Sequence, residues 1–136
     1  MPVTPGQKEQ RESAATIASL IEIGVPVEKI RVILNRVEDE PKAEFVTIFG
    51  AAKKFGFKLS EQCSVYENEV YDLLNKRSKT IDSVLNDETD YKAKLREAMV
   101  NDDDKAVNIC TDMIALKSLS VGAKRNLDIV FNEIVS

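Results

Sequence analysis

The run Ile30-Arg31-Val32-Ile33-Leu34-Asn35-Arg36-Val37 narrows the folds open to this chain more than any other feature. It is β-rich and almost continuously apolar, which suits a strand covered on both faces, as in a parallel sheet. A parallel strand needs crossover connections, usually helices, and the flanking sequence supplies them. Residues 7–23 place Ala14, Ile17, Ala18 and Ile21 on one helical face, with Leu20 beside them. Gly24 stands where a helix C-terminal glycine would, and Pro26 follows. After Pro41, the stripe Phe45, Ile48, Phe49, Ala52 and Phe55 marks a second helix that ends at Gly56. A second strand is expected within Phe57–Tyr66, most narrowly Cys63–Tyr66. The order helix, strand, helix, strand implies an α/β layer with a small parallel sheet of about two strands.

Beyond Glu67 the pattern becomes helical. Glu69–Leu74, Ile81–Leu85, Tyr91–Met99, Ala106–Lys117 and Val121–Ile134 all carry helical spacing, with Ser120 as the expected N-cap of the last. The run Asn101-Asp102-Asp103-Asp104 is a polar break whose charge favours the start of the helix after it. The expectation is one domain over residues 1–136, with an α/β portion at 1–75 and an all-helical portion at 76–136. A two-stranded sheet leaves both strands as edges. Ile30–Val37 therefore looks like part of a larger sheet, completed by a partner chain or a second copy, or else covered by the later helices. A homo-oligomer or a protein partner is expected.

Composition excludes several functions. The formal charge of −4 argues against a dedicated nucleic-acid binder, whose affinity comes mostly from Lys and Arg on phosphates. The chain has no His, which removes the commonest general base and leaves no usual zinc site. Cys63 and Cys110 stand far apart and read as reduced buried thiols of a cytoplasmic protein. No apolar run reaches the roughly 20 residues needed to span a bilayer, and no secretory signal opens the sequence. No membrane association is expected. Asp87, Glu88, Asp90 and Asp102–Asp104 lack the spacing and the glycine of a calcium loop. No metal site and no catalytic residue is expected. Glu38, Asp39 and Glu40 could meet Mg²⁺ or simply be solvated.

The order of segments resembles a known family. Pro2-Val3, Lys8, a helix, Gly24-Val25-Pro26 and then Ile30–Val37 resemble the C-terminal half of a ParA/MinD-type deviant P-loop ATPase. Val37-Glu38-Asp39-Glu40, Asn68-Glu69-Val70-Tyr71-Asp72-Leu73-Leu74, Lys79-Thr80-Ile81 and Asp87-Glu88-Thr89-Asp90-Tyr91-Lys92 resemble its StbB group of plasmid-stability proteins. The resemblance implies a plasmid-stability or partition protein of the P-loop NTPase fold, in a family that uses ATP and Mg²⁺. It implies that Asn35, followed by Arg36, meets the adenine, with Tyr66, Glu67 and Asn68 on the same side. An Asn can offer a base edge both a donor and an acceptor, although it also suits a turn leaving the sheet. Lys117, Lys124 and Arg125 become a candidate DNA contact, or ordinary helix-surface charge.

The chain departs from the family at the phosphates. No GxxxxGK[ST] occurs, and the five glycines are scattered singly. Nothing here would cradle the β- and γ-phosphates or hold Mg²⁺. No ATP hydrolysis and no bound cofactor are expected of this chain alone. The alternative is a non-enzymatic helical protein-interaction module.

Overall fold

The computed structural model describes residues 1–135. They form two compact units: Met1–Glu67 together with the chain from Asn126 onward, and Asn68–Arg125.

The first unit is built on a parallel sheet of three strands in the order β1-β2-β3: β1 (Pro2–Val3), β2 (Ile33–Val37) and β3 (Ser64–Tyr66). Helix α1 (Gln7–Glu22) connects β1 to β2, and α2 (Pro41–Glu44) with α3 (Val46–Phe55) connects β2 to β3. The expectation of about two strands is corrected. A two-residue strand that begins with proline carries no periodicity, so β1 is invisible as a pattern. It pairs Pro2 with Ile33 and Val3 with Leu34. That makes β2 an interior strand whose two neighbours both come from this chain. The strand proper begins at Ile33, because Val27–Lys29 form a 3₁₀ turn that Ile30 closes. Val3, Ile17, Ile30, Val32, Leu34, Val37, Phe45, Ile48, Ala51 and Phe57 bury one continuous core.

Both crossover helices end as the sequence implies. Gly24, at φ +104°, donates to the Ile21 carbonyl, and Val25 donates to Leu20. This pair of bonds satisfies the last carbonyls of α1. Gly56 does the same for α3 at φ +80°. The helix expected after Pro41 is broken at Phe45, whose side chain is fully buried. The break leaves backbone groups without helical partners, and Gln10 supplies two of them. Its Nε2 donates to the Glu44 carbonyl (2.9 Å) and to the Pro5 carbonyl (2.7 Å), and its Oε1 accepts from the Ile48 amide (3.2 Å). Gln10 is 1% exposed, so each of these bonds replaces one that water cannot make.

Two backbone groups on the outer edge of β3 are met within the same unit. Asn126 Nδ2 donates to the Ser64 carbonyl (2.8 Å), and its Oδ1 accepts from the Tyr66 amide (3.1 Å). Nearby, Arg31 Nε donates to the Ile134 carbonyl (3.3 Å), one of the unpaired carbonyls at a helix end, and Lys58 lies 3.8 Å from Glu133.

The second unit is helical: α4 (Val70–Arg77), α5 (Ile81–Leu85), α6 (Tyr91–Val100) and, up to Arg125, α7 (Asp104–Val135). Val70, Leu74, Val84, Met113, Leu116 and Ala123 form its core. Arg77 grips Asp112 through Nε (2.9 Å) and Nη2 (2.6 Å), and Lys76 Nζ adds a contact at 2.9 Å. Lys76 and then Arg77 hold the Asp112 carboxyl below its ordinary range. Thr80 and Ser83 cap α5 reciprocally, and the Asp90 carboxylate caps α6. The polar run before α7 behaves as expected, with Asp103 Oδ1 accepting from the Ala106 amide.

The expectation of separate helices at Ala106–Lys117 and Val121–Ile134 is corrected, since α7 is continuous. Cys110, Met113, Leu116, Ser120 and Ala123 recur at helical spacing and are all buried. Ser120 therefore belongs to a buried stripe and is not an N-cap. Its Oγ has no hydrogen-bond partner among the described residues.

Replacing Gln10 with Leu keeps the volume and strands two carbonyls and one amide. Urea denaturation should show a loss of about 2–4 kcal/mol at an unchanged m-value. A loss within experimental scatter would show that these backbone groups find other partners.

Candidate functional site

In open parallel α/β sheets, ligands bind at the carboxyl ends of the strands. Three segments leave the sheet there: Thr4-Pro5-Gly6 after β1, Glu38-Asp39-Glu40 after β2, and Glu67 after β3. Thr4, Pro5, Gly6, Glu9, Arg36, Glu38 and Glu67 line a cleft of about 310 Å³ between them.

The geometry of this cleft begins with a distortion of β2. Leu34 pairs with Ser64 and Val37 with Tyr66, so the register shifts between them. Arg36 lies inside this bulge at φ +58°, a left-handed conformation that costs a non-glycine residue on the order of 1 kcal/mol. The bulge turns Arg36 outward, where its Nε meets Glu67 Oε2 at 3.1 Å. The two side chains are 66% and 48% exposed, so the pair orients the groups more than it stabilises the fold. Asn35 Oδ1 accepts from the Arg36 amide (3.1 Å), and Asn35 Nδ2 makes no hydrogen bond among the described residues.

The loop after β2 is held by an acid that sequence reading passed over. Glu44 Oε1 accepts from the Glu38 amide (2.8 Å) and Oε2 from the Asp39 amide (2.9 Å). These bonds, first from Glu38 and then from Asp39, hold the Glu44 carboxyl below its ordinary value. The signal was present in the sequence: an acid one helical turn into a helix that follows a loop of unpaired amides.

The cleft is electronegative. Three of its lining groups are carboxylates and one is a guanidinium. The positive end of α1, a kind of site that attracts phosphate, is already covered. A Cβ on Gly6 would stand 1.9 Å from Glu9 Oε2, so the Glu9 carboxylate lies over the N-cap. The wall is therefore suited to neutral hydrogen-bond donors, such as an exocyclic amine or sugar hydroxyls, and is unsuited to phosphate.

Of the five residues expected to gather on the adenine side, Arg36 and Glu67 come together in the cleft, and Asn35 adjoins Arg36 in the strand. Tyr66 is exposed at the sheet edge and does not line the cleft; its amide donates to Asn126. Asn68 belongs to the second unit, where its Oδ1 accepts from the Val70 amide (2.9 Å) at the start of α4. The three basic residues lie on α7. Lys117 Nζ stands 5.9 Å from the centre of the Tyr91 ring, Lys124 lies 3.9 Å from Asp82, and Arg125 is exposed. Lys117 also lines a cleft of about 520 Å³ with Thr89, Tyr91 and Ile114.

Neither thiol is disulfide-bonded. Burial, reinforced by Glu133, pushes the Cys63 thiol up, away from the reactive thiolate. Among the described residues, no group of acids and cysteines is arranged to hold a metal ion, and no helix is long and apolar enough to cross a membrane. No family model, curated protein or solved structure matches this chain.

The Glu44 clamp makes stability depend on pH. Its folded-state value lies below 4.5, so its contribution is present above that pH and is lost as pH falls through the depressed value. Glu44→Gln should cost about 1 kcal/mol near neutrality, and the gap to the parent protein should close on acidification. Thermal melts of both proteins between neutral pH and pH 3 are the check. A gap that persists unchanged at low pH would mean that the carboxylate is not what holds the loop.

Proposed function

We propose that this chain is the distal, adenine-side half of a ParA/StbB-like plasmid-stability ATPase, and that it contributes a nucleoside-facing wall without hydrolysing ATP itself. The observation that carries this reading is the cleft at the carboxyl ends of the parallel strands. Arg36, in the bulge beside Asn35, and Glu67 line that cleft. The resemblance expects an adenine contact from the same strand end. The electronegative lining fits the division of labour: carboxylates accept from an adenine amine and from ribose hydroxyls, while the phosphates need a glycine-rich loop, a lysine and Mg²⁺ from elsewhere.

On this reading the protein is cytoplasmic and works with a protein partner or a second copy that supplies the phosphate side. Asn126 already occupies the β3 edge, so further strands would extend the sheet beside β1. The interaction-module reading rests on the second unit. Its core is independent of the sheet, and it exposes Met99 and Val100 at the end of α6. The candidate DNA contact at Lys117, Lys124 and Arg125 is the less favoured element, since Lys117 and Lys124 already face Tyr91 and Asp82.

Calorimetry with Mg-ATP tests the proposal. The chain alone should show no hydrolysis and no tight binding. With a P-loop half fused in front, binding should appear. Asn35→Ala should then lower the preference for adenine over guanine by roughly 1–3 kcal/mol, as expected for a buried polar contact left unpaired. Low-micromolar binding by the chain alone that is lost in Asn35→Ala, or a selectivity in the fused protein that ignores Asn35, would overturn it.

A further inference from the structure

The cleft of about 520 Å³ lies wholly within the helical unit. Asp90, Tyr91 and Lys92 line it where α6 begins, and Ile114, Lys117 and Ser118 line it from α7. The three α7 residues follow the spacing of a single helix face. The volume suits a small organic molecule. Its charge sets this cleft apart: two lysines stand against one aspartate. The strand-end cleft, the cleft beside Glu12 and the cleft beside Asp103 each carry more carboxylates than cations.

The nearby acids are engaged by the protein itself. Asp90 Oδ1 accepts from the Ala93 amide (3.1 Å) and so caps α6. Asp87, which does not line the cleft, accepts from the Thr89 amide (3.0 Å) with Oδ1 and from the Tyr91 hydroxyl with Oδ2. That second bond holds the Tyr91 ring in place, and Lys117 Nζ stands 5.9 Å from the ring centre, at the outer limit of a cation–π contact. Asp87 adds a longer-range attraction to Lys117. Among the described residues, neither Lys117 nor Lys92 has a hydrogen bond or an ion pair, and the Ser118 hydroxyl has no partner. Lys117 is half-buried, so its ammonium gives up part of its hydration with no ion-pair partner in exchange.

We propose that this cleft binds a small organic carboxylate that carries an apolar body. The carboxylate meets the Lys117 and Lys92 ammoniums and the Ser118 hydroxyl. The apolar body lies against Ile114 and the lysine stems. Two lysines less Asp90 leave one positive charge in the lining. That matches a monoanion better than the dianion of a phosphate ester. The site is separate from the nucleoside-facing cleft and stands whether or not that reading holds.

The test is titration of the full chain with phenylacetate, followed by calorimetry and by the NMR shifts of the backbone amides. Phenylacetate should move the Lys92 and Ser118 amides. It should bind about 10-fold more tightly than phenylethanol, which lacks the charge, or acetate, which lacks the apolar body. Lys117→Met keeps the stem and removes the ammonium, and should weaken phenylacetate binding about 10-fold at an unchanged melting temperature. Absence of phenylacetate binding at millimolar concentration overturns the proposal. So does phenylethanol binding as tightly as phenylacetate, or a Lys117→Met protein that binds as the parent does. Tighter binding of phenyl phosphate overturns the assignment to a carboxylate. Should Lys117→Met fail to fold, Lys92→Met is read by the same criteria.

Discussion

The Gln10 carboxamide is the interaction on which most of the first unit depends. The chain between β2 and β3 needs a helix to cross over, yet that helix is broken at Phe45 so that the aromatic ring can enter the core. A broken helix inside a protein exposes amides and carbonyls that water cannot reach. Gln10, reaching from α1, accepts from one and donates to another, and its second N–H holds Pro5. One buried side chain thereby ties the segment after β1 to the junction of α2 and α3.

The cleft inherits its shape from this tie. Pro5 lies in the wall after β1, so its tether fixes the position of Thr4 and Gly6. Glu44, whose carbonyl Gln10 holds, turns its carboxylate toward the loop after β2 and fixes Glu38 and Asp39. Two of the three strand-end segments around the cleft are thus positioned through Gln10. The third is set by the bulge in β2, where Arg36 takes a costly backbone conformation and reaches Glu67. Strain of this kind persists when the surroundings over-determine it, and it gathers at working sites.

The same economy appears at the sheet edge. A three-residue strand cannot recruit a fourth strand from this chain, yet bare edge groups invite association. One asparagine on a packed helix meets the Ser64 carbonyl and the Tyr66 amide at once. Ser120 shows the opposite case, a hydroxyl buried within α7 that finds no partner. It lies on the buried stripe that runs from Cys110 to Ala123.

Much of the architecture was legible from local pattern. The buried strand, the amphipathic α1, the glycine stops at Gly24 and Gly56 and the helical character beyond Glu67 each arise from a periodicity or a backbone preference that a short window contains. What the window hid was whatever depended on distant neighbours. β1 is too short to have a period and exists as a strand only because Ile33 and Leu34 pair with it. Ser120 looks like a cap until the buried stripe around it is traced through the folded helix. Gln10 sits at the spacing of Ala14, Ile17 and Ile21, so the apolar face did point to it, but polarity concealed its burial. Glu44 carried only the weak local signal of an acid one turn into a helix, and Asn126 had no signal that could be read alone. Their partners lie five to sixty-two residues away along the chain. The chain's own sequence determined which segments become helix or strand and where they stop, because those choices are local in backbone entropy and side-chain periodicity. Only the tertiary structure decided which polar side chains complete the backbone hydrogen bonding, because that choice depends on which groups burial leaves without water.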